Sequence, residues 1–338
     1  MRRTVSLLVC AGLALLSVPS GNAWAADAVV ASGDRLPVSV PIRTIDTPDR
    51  TGQNGIVSIR VGSSSPMSVM LDTGSVGLRL WDGKPAGAVA TSVTAPSSAG
   101  GAPLPGQYAK AAISIGGVRT STAVPFQLIS TDSNYIKQWK SKGIAGILGI
   151  GVSRGPLPNP LTALPGSLGT RWSVHFARSR SGVVDRSGAL VLGARAPGSA
   201  IMNFQLSPQG QSSAGVLLWD DHAASGCWTF GSLVEQCVPT WFDSGFTVMR
   251  IKGKSFASLP SVAGDLLRPG TVVTLAAGSS AYVAHRFVAG HLGSRNLARV
   301  LGSGRSVINT GNSFYFDYTV SYDIALGKLA LSASEKGN

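Results

Sequence analysis

Residues 71–80 read Leu71-Asp72-Thr73-Gly74-Ser75-Val76-Gly77-Leu78-Arg79-Leu80, which is an aspartate in a Thr-Gly turn between two apolar runs. A stretch of the same kind follows much later, Trp241-Phe242-Asp243-Ser244-Gly245-Phe246-Thr247-Val248. Both read apolar residue, aspartate, hydroxyl residue, glycine. One copy is an ordinary turn sequence, whereas two copies in two similar halves of a chain indicate a site built from paired carboxylates.

Paired carboxylates have a chemistry of their own. Two of them a few ångströms apart cannot both be ionised cheaply, so one keeps a proton, and the pKa values belong to the pair. A water held between them can attack a peptide carbonyl while the ionised aspartate takes its proton and the other donates to the oxyanion. We therefore predict Asp72 and Asp243 as a catalytic dyad that needs no metal and no cofactor.

The neighbours of the two aspartates suit this role. Gly74 and Gly245 allow tight turns and present backbone N–H groups to the carboxylates. The hydroxyls of Thr73 and Ser244 are placed to bond across the two loops. Ser75 is placed to donate a hydrogen bond to the outer oxygen of the first aspartate. We predict these five residues as support for the active-site loops.

The pattern of the rest of the chain predicts an all-β protein. Its 338 residues are 44% hydrophobic and only 13% charged, with 42 glycines and 19 prolines. Most segments are short, alternating runs of apolar and polar residues separated by turn residues. Two helices are predicted, at Tyr135–Lys142 and Phe256–Leu267. Two lobes are expected, residues 38–186 and residues 187–335, with the boundary near Arg186.

The N-terminus resembles a secretory signal peptide. Residues 1–25 have a basic start, an apolar run and a small residue on either side of Trp24, so we expect cleavage before Ala26. The apolar run is too short for a membrane span, and no later segment is long enough. Residues 26–37 are expected to be a flexible leader. The sequence thus predicts a secreted protein, extracellular or in the cell envelope, without a transmembrane segment.

The charge balance bears on partners. The formal net charge is +13, or about +11 once Arg2 and Arg3 leave with the signal peptide. Such a charge favours non-specific association with acidic cell-wall polymers. The basic residues are scattered, without an Arg/Lys-rich run interleaved with aromatics, so no nucleic-acid partner is predicted. We expect a monomer that acts on a polypeptide substrate.

The cysteines indicate a disulfide rather than a metal site. Cys10 lies in the signal peptide, which leaves Cys227 and Cys237 in the mature chain, and an even pair in an exported protein is typical of a disulfide. A short loop of this kind contributes about 3 kcal/mol in the chain-entropy model. The four histidines show no metal-ligand spacing with these cysteines, so no metal site is predicted.

These features together resemble the pepsin-like aspartic proteases. Leu71-Asp72-Thr73-Gly74-Ser75-x-x-Leu78 is similar to their first active-site motif. Gly146-Ile147-Leu148-Gly149 resembles the strand that crosses under the first aspartate, and Gly188–Gly193 the strand that opens the second lobe. Residues 311–323 resemble the C-terminal strand and turn. The resemblance covers residues 38–331, and the chain is most similar to a secreted bacterial, actinobacterial type such as the mycobacterial proteases that process PE-domain proteins.

The resemblance implies a bilobal pepsin-like fold and an aspartic-type endopeptidase, and the chain departs from the family at three places. Phe246 stands where the second loop usually has Ser or Thr, so the outer-oxygen hydrogen bond is lost there unless Thr247 supplies it. Asn309-Thr310 stand where two apolar residues are usual. The predicted tip of the flap, Ala95–Pro105, contains no tyrosine, which leaves Tyr108 as the candidate flap residue.

Two other functions compete with the protease. A non-catalytic pepsin-like protein could use the cleft or the basic surface to bind a cell-envelope ligand, as Phe246 and the tyrosine-free flap tip would allow. A serine hydrolase is suggested by Gly151-Val152-Ser153-Arg154-Gly155, which matches a nucleophile elbow. Such an elbow must lead into a helix, and here Pro156, Pro158 and Pro160 follow, so this stretch is expected to be a loop.

Overall fold

The computed structural model describes residues 36–49, 51–95, 98–99, 102–177, 188–196, 200–233, 235–277, 285–291 and 296–333. The predicted signal peptide, most of the predicted leader and the predicted lobe boundary at Arg186 lie outside these residues. The division into residues 38–186 and 187–335 stays a prediction.

Short strands make up most of the first half of the described chain. They are β1 Val38–Asp46, β2 Gln53–Val61, β3 Met67–Asp72, β4 Val76–Leu80, β5 Val89–Ala95, β6 Ser98–Ala99, β7 Ala102–Pro103, β8 Gly106–Ala111, β9 Ile113–Ile115, β10 Val118–Arg119, β11 Val124–Ile129, β12 Gly146–Ile150 and β13 Arg171–His175. One helix, α1, spans Asn134–Lys140, and two 3-10 helices span Pro160–Ala163 and Gly166–Gly169.

The second half has the same character. Its strands are β14 Gly188–Leu192, β15 Met202–Gln205, β16 Ser207–Gln211, β17 Leu217–Asp220, β18 Ala224–Phe230, β19 Gln236–Trp241, β20 Met249–Lys252, β21 Ser261–Val262, β22 Leu266–Leu267, β23 Val272–Ala277, β24 His285–Val288, β25 Ala298–Leu301, β26 Val307–Asn309, β27 Tyr318–Asp323 and β28 Lys328–Ala333. A 3-10 helix spans Lys254–Phe256 and helix α2 spans Ser313–Asp317.

The predicted all-β class is confirmed. A curled sheet runs in the order β15-β28-β27-β13-β14-β1-β2-β3-β12-β4-β11-β8-β5, with β9 and β10 attached through β2. A second sheet runs β21-β22-β25-β20-β26-β19-β18-β23-β24. In the first sheet, β13 pairs with β27 from near the C-terminus. Strands that are distant in sequence are therefore joined by backbone hydrogen bonds in one sheet.

The strands that lead to Asp72 and Asp243 rest on buried apolar side chains. Leu71 and Leu78 flank the first aspartate and are fully buried, as is Leu148 on the strand between them. On the other side, Phe242 and Ile308 are buried in the same way, and Phe314 packs edge-on against Phe242. Burying an aliphatic or aromatic side chain of this size contributes about 1.5–3 kcal/mol. This core fixes the strands that carry the two motifs.

One of the two predicted helices is present and the other is wrong. Helix α1 begins after Ser133, whose hydroxyl caps it by accepting from the Ile136 N–H. In place of the helix predicted at Phe256–Leu267, the chain forms the hairpin of β21 and β22. Pro260 cannot donate a helical hydrogen bond. Gly264 and Asp265 both have positive φ, 76° and 60°, which suits a tight hairpin turn.

The predicted disulfide is confirmed. Cys227 and Cys237 are bonded and lie opposite each other on the paired strands β18 and β19. The bond therefore joins the hairpin that leads directly to the second aspartate. Among the described residues, Cys227, Glu235 and Cys237 are the group whose ligand atoms lie close together, but both sulfurs are consumed by the disulfide. No helix in the described part of the chain is long and apolar enough to span a bilayer.

Candidate active site

The first aspartate stands at the end of a strand held from both sides. Strand β12 lies between β3, to which it is parallel, and β4, to which it is antiparallel. Gly149 on β12 is paired with Asp72 on β3 and with Gly77 on β4. A Cβ at Gly149 would lie 2.8 Å from two backbone carbonyl oxygens of the loop, so only glycine allows this close approach. The loop from Asp72 to Ser75 thus connects β3 to β4 across the end of β12, the strand that lies between them.

The second aspartate has the same framework. Strand β26 lies between β19, in parallel, and β20, in antiparallel orientation. Asn309 on β26 is paired with Trp241 and with Arg250. In the first half, Ile147 is paired with Met70 and with Arg79 in the corresponding way. Each aspartate therefore follows the paired residue of its outer strand, Met70 or Trp241, by two positions and precedes its arginine by seven. The two halves are equivalent around the site.

The two loops are locked together by reciprocal hydrogen bonds. The backbone N–H of Thr73 donates to Oγ of Ser244, and the backbone N–H of Ser244 donates to Oγ1 of Thr73, both at 2.9 Å. The two hydroxyls in turn donate to carbonyls of the opposite strand, Thr73 to Phe242 at 2.9 Å and Ser244 to Leu71 at 3.1 Å. The cross-loop bonds expected from the sequence are thus present, and they are fully buried.

The two carboxyl groups face each other across glycines. A Cβ at Gly74 would lie 2.3 Å from Cγ of Asp243, and a Cβ at Gly245 would lie 2.5 Å from Cγ of Asp72. The absent side chains leave the room that each carboxyl group occupies. The two aspartates are within reach of a side-chain hydrogen bond to one another, so the structure brings together the pair that the sequence pointed to.

Asp72 is held by its own loop. Oδ1 accepts from the Gly74 N–H at 2.8 Å, and Oδ2 accepts from the Ser75 hydroxyl at 2.6 Å. Both donors are those expected from the sequence.

Asp243 receives its second hydrogen bond from an unexpected residue. Oδ1 accepts from the Gly245 N–H at 3.0 Å, as Asp72 does from Gly74. Oδ2 accepts from the side-chain amide of Asn309 at 2.6 Å. Thr247, named from the sequence as the alternative source of this hydrogen bond, is instead bonded through its Oγ1 to Thr51 at 2.9 Å. The amide of Asn309 is oriented by the Gly311 N–H, which donates to its Oδ1.

The two departures from the family pattern therefore compensate each other. Phe246 removes a hydroxyl from the loop, and Asn309 supplies a donor to the same oxygen from the neighbouring strand. The ring of Phe246 takes up a different contact, with the guanidinium of Arg250 at 3.9 Å from its centre.

The environment of Asp243 favours its protonated form. Its side chain is 4% exposed. Burial and the charge of Asp72 raise the pKa of Asp243 to about 7, although the hydrogen bonds from Asn309 and Gly245 oppose the shift. At mildly acidic pH, one proton therefore resides on Asp243 beside the charged Asp72.

The dyad opens into a cleft of about 800 Å³. Its walls include Tyr135 and Trp139 of α1, and burial together with the charge of Asp72 raises the pKa of Tyr135. Tyr108, the candidate flap residue, lies on β8 and is not among the lining residues. The predicted flap tip, Ala95–Pro105, is only partly within the described residues, so its role in covering the cleft stays a prediction.

The alternative nucleophile, Ser153, is poorly placed for catalysis. It is buried, and its hydroxyl partly offsets the rise in the pKa of Asp221 that burial causes. It stands after β12 in a loop, with no helix directly behind it. Asp221 also accepts from the Val152 N–H at 2.7 Å. Ser153 therefore lies buried in a loop, and a nucleophile elbow requires an exposed serine that leads into a helix.

Four residues at the site were given no role in the analysis of the sequence. Asn309 was visible only as a departure from the family pattern, because its strand register was unknown. Tyr135 lay on a predicted helix with no indication of which way it faced. Arg79 and Arg250 share a signal that sequence reading could have found, since each follows its aspartate by seven residues.

Comparison with known proteins supports the same architecture. No known family model and no curated protein sequence matches the chain. Among solved structures, the aspartic proteinase from Irpex lacteus superimposes with a TM-score of 0.61 at 19% identity, over 88% of this chain and 97% of that one. Identity this low shows the fold alone. The chain has the bilobal, all-β fold of the pepsin-like aspartic proteases.

Proposed function

We propose that the protein is an aspartic endopeptidase that hydrolyses peptide bonds with water activated between Asp72 and Asp243. The observation that carries the proposal is the dyad itself. Two carboxyl groups are held within hydrogen-bonding reach by loops that are bonded to each other, at the floor of a cleft large enough for a peptide. The fold, shared with an aspartic proteinase, is consistent with this reaction.

The geometry suggests how the two groups divide the reaction. Asp72 is the base, since the proton of the pair is held by the buried Asp243. It takes a proton from the water as the oxygen attacks the peptide carbonyl carbon. Asp243, whose pKa is raised to about 7 by burial and by the charge of Asp72, donates its proton to the carbonyl oxygen. When the tetrahedral species collapses, the leaving amine takes the proton from Asp72, Asp243 takes a proton back from one hydroxyl, and the C–N bond breaks to release the carboxylic acid and restore the dyad.

We also propose that the protein works outside the cytoplasm. The predicted signal peptide supports this, and so does the Cys227–Cys237 disulfide, because such bonds persist in oxidising compartments. The resemblance to secreted actinobacterial proteases makes exported bacterial proteins a reasonable first set of substrates to test. Association with acidic cell-wall polymers and a monomeric state remain part of the same proposal.

The competing function, a non-catalytic binding protein, loses the support that it drew from Phe246. Phe246 would have left Asp243 without a donor to its outer oxygen, but Asn309 supplies that donor.

Incubation with an unfolded protein across acidic to neutral pH tests the proposal. The mature wild-type chain should release new peptides, and neither a chelator nor a serine-directed covalent reagent should stop it. The Asp72→Asn, Asp243→Asn double variant serves as the matched control and should release none. Absence of cleavage by folded wild-type protein over the whole pH range would favour the binding function.

A further inference from the structure

Two arginines occupy equivalent places on either side of the dyad. Arg79 follows Asp72 by seven residues and Arg250 follows Asp243 by seven. Arg79 is paired with Ile147, and Arg250 with Asn309, in the equivalent registers of the two halves. Both side chains line the cleft. A peptide that lies across the dyad must therefore pass one arginine on each side of the bond to be cut.

Arg79 is buried without a full set of partners. It is 6% exposed, and burial lowers its pKa while the charge of Asp72 opposes this. One terminal nitrogen makes long hydrogen bonds to Oγ of Ser75 at 3.4 Å and to the Gly77 carbonyl at 3.3 Å. Its Nε has no hydrogen-bond partner among the described residues. A buried guanidinium whose N–H groups are not all hydrogen-bonded is costly, and a carboxylate can accept from two of those N–H groups at once.

Arg250 stands in a second cationic cluster. Its guanidinium packs on the ring of Phe246, and it lies opposite Arg299 on the parallel strand β25, whose charge repels it. Arg299 also lines the cleft. Within the described residues, neither arginine forms an ion pair with a carboxylate. Two neighbouring cations that destabilise each other are relieved by an anionic ligand.

The balance of charge in the cleft points the same way. The described lining contains three arginines, Arg79, Arg250 and Arg299. Apart from the dyad, it contains one carboxylate, that of Asp49. Asp49 is engaged locally by Thr51. The cleft therefore attracts negative charge even though it holds an aspartate dyad.

We propose, on the basis of the proposed protease function, that the cleft selects acidic polypeptide and that Arg79 and Arg250 each bind an Asp or Glu side chain on their own side of the scissile bond. Arg299 strengthens the site on the Arg250 side. Phe246, which lacks the loop hydroxyl, serves as the platform that orients Arg250.

A peptide library tests the preference without any mutation. The mature protein digests a mixture of peptides, and mass spectrometry identifies the residues that flank each cut. Asp and Glu should be enriched on both sides. In matched peptides, a flanking Glu should exceed Gln in kcat/KM by about tenfold to a hundredfold, since hydrogen bonds between charged groups are strong, and added salt should reduce this ratio. Equal rates for Glu, Gln and Lys would overturn the proposal.

Variants of Arg250 test which side of the scissile bond this arginine recognises. Arg250→Gln should abolish the preference on one side and leave it on the other, and Arg250→Glu should make Lys the favoured residue there. Arg119→Gln removes the same charge from an exposed position on β10, outside the cleft, and should leave the preference unchanged. An unaltered Glu:Gln ratio in folded Arg250→Gln would contradict the assignment.

Binding separates this proposal from the protease function. A peptide with a reduced, uncleavable bond is titrated into the wild-type protein, and its Glu and Gln forms are compared by fluorescence anisotropy. Tighter binding of the Glu form supports acidic selection even if no substrate is ever cut. Equal binding of both forms contradicts it, whether or not the protein cleaves other peptides.

Discussion

Asn309 donates a 2.6 Å hydrogen bond from its side-chain amide to Oδ2 of Asp243, and this bond is the counterpart of the one from the Ser75 hydroxyl to Oδ2 of Asp72. One donor comes from the loop and the other from the strand beside it. The two halves of the site therefore reach similar hydrogen bonding with different residues.

Replacing this amide should change the pH dependence of the reaction. Asn309→Leu removes a donor that lowers the pKa of Asp243, so that pKa should rise above about 7. Since Asp243 must be protonated to act, the alkaline limb of the pH profile should move to higher pH, and kcat should fall as the dyad loses its orientation. The measurement is kcat against pH with one peptide.

A second substitution that restores a hydrogen-bond donor to Asp243 serves as the control. Phe246→Ser places a hydroxyl three residues after Asp243, where Ser75 stands relative to Asp72. Added to Asn309→Leu, it should return the alkaline limb towards its wild-type position. If Asn309→Leu alone leaves the profile unchanged, Asn309 does not take the place of the loop hydroxyl.

The hydrogen bonds between the two loops should contribute jointly to the free energy of unfolding. Thr73→Val and Ser244→Ala each remove buried hydrogen bonds, and each should lower the free energy of unfolding by about 1–3 kcal/mol. Because the two residues share partners, the double variant should lose less than the sum. Denaturant unfolding measures all three. The exposed Ser303→Ala should change stability by less than about 0.5 kcal/mol, and strict additivity of the first two would argue against a shared network.

The two glycines that face the carboxyl groups should not tolerate a methyl group. In Gly74→Ala and Gly245→Ala the new Cβ would lie 2.3 Å and 2.5 Å from the opposite Cγ, so the dyad must separate and cleavage should be lost. Gly83→Ala is the matched control, because nothing lies within 4 Å of its added Cβ. That variant should lose about 1 kcal/mol of stability through its positive φ and retain cleavage. Normal activity in Gly74→Ala would show that the carboxyl groups need not be this close.

Asp243 should make the folded state less stable as pH rises. Its pKa is raised from 3.8 to about 7, so the folded state holds a proton that the unfolded state releases over this range. This contribution is fully present below about pH 4 and is lost as pH rises through about 7, with a slope of at most about 1.4 kcal/mol per pH unit. Asp243→Asn should flatten this part of the curve of unfolding free energy. An unchanged slope would mean that Asp243 is not buried in protonated form.

Local sequence patterns were sufficient to predict much of the site. The repeated motif identified Asp72 and Asp243, and the neighbouring residue types gave the donors Gly74, Ser75 and Gly245. The hydrogen bonds of these residues were predictable because each one spans at most three residues or joins two copies of one motif. The catalytic role of the two aspartates stays a prediction.

Long-range register set the limit of sequence reasoning. Asn309 lies 66 residues from the aspartate that it bonds, and only the pairing of β26 with β19 and β20 places it there. The prediction of a helix at Phe256–Leu267 was wrong because it gave the spacing of the apolar residues more weight than the helix-breaking Pro260 and the turn at Gly264-Asp265. Tyr108 was chosen because it is the only tyrosine between Asp72 and Ser130, whereas the tyrosine in the described lining of the cleft, Tyr135, comes from helix α1.

Hydrolysis of one reporter peptide by the wild-type protein and by the single variants Asp72→Asn and Asp243→Asn tests the central claim most directly. Each variant keeps the size of the side chain and removes an acid–base group, and circular dichroism confirms that the variants are folded. The dyad predicts that kcat falls in both by at least about 10²–10⁴-fold. Wild-type kcat in either folded variant would contradict the assignment of Asp72 and Asp243.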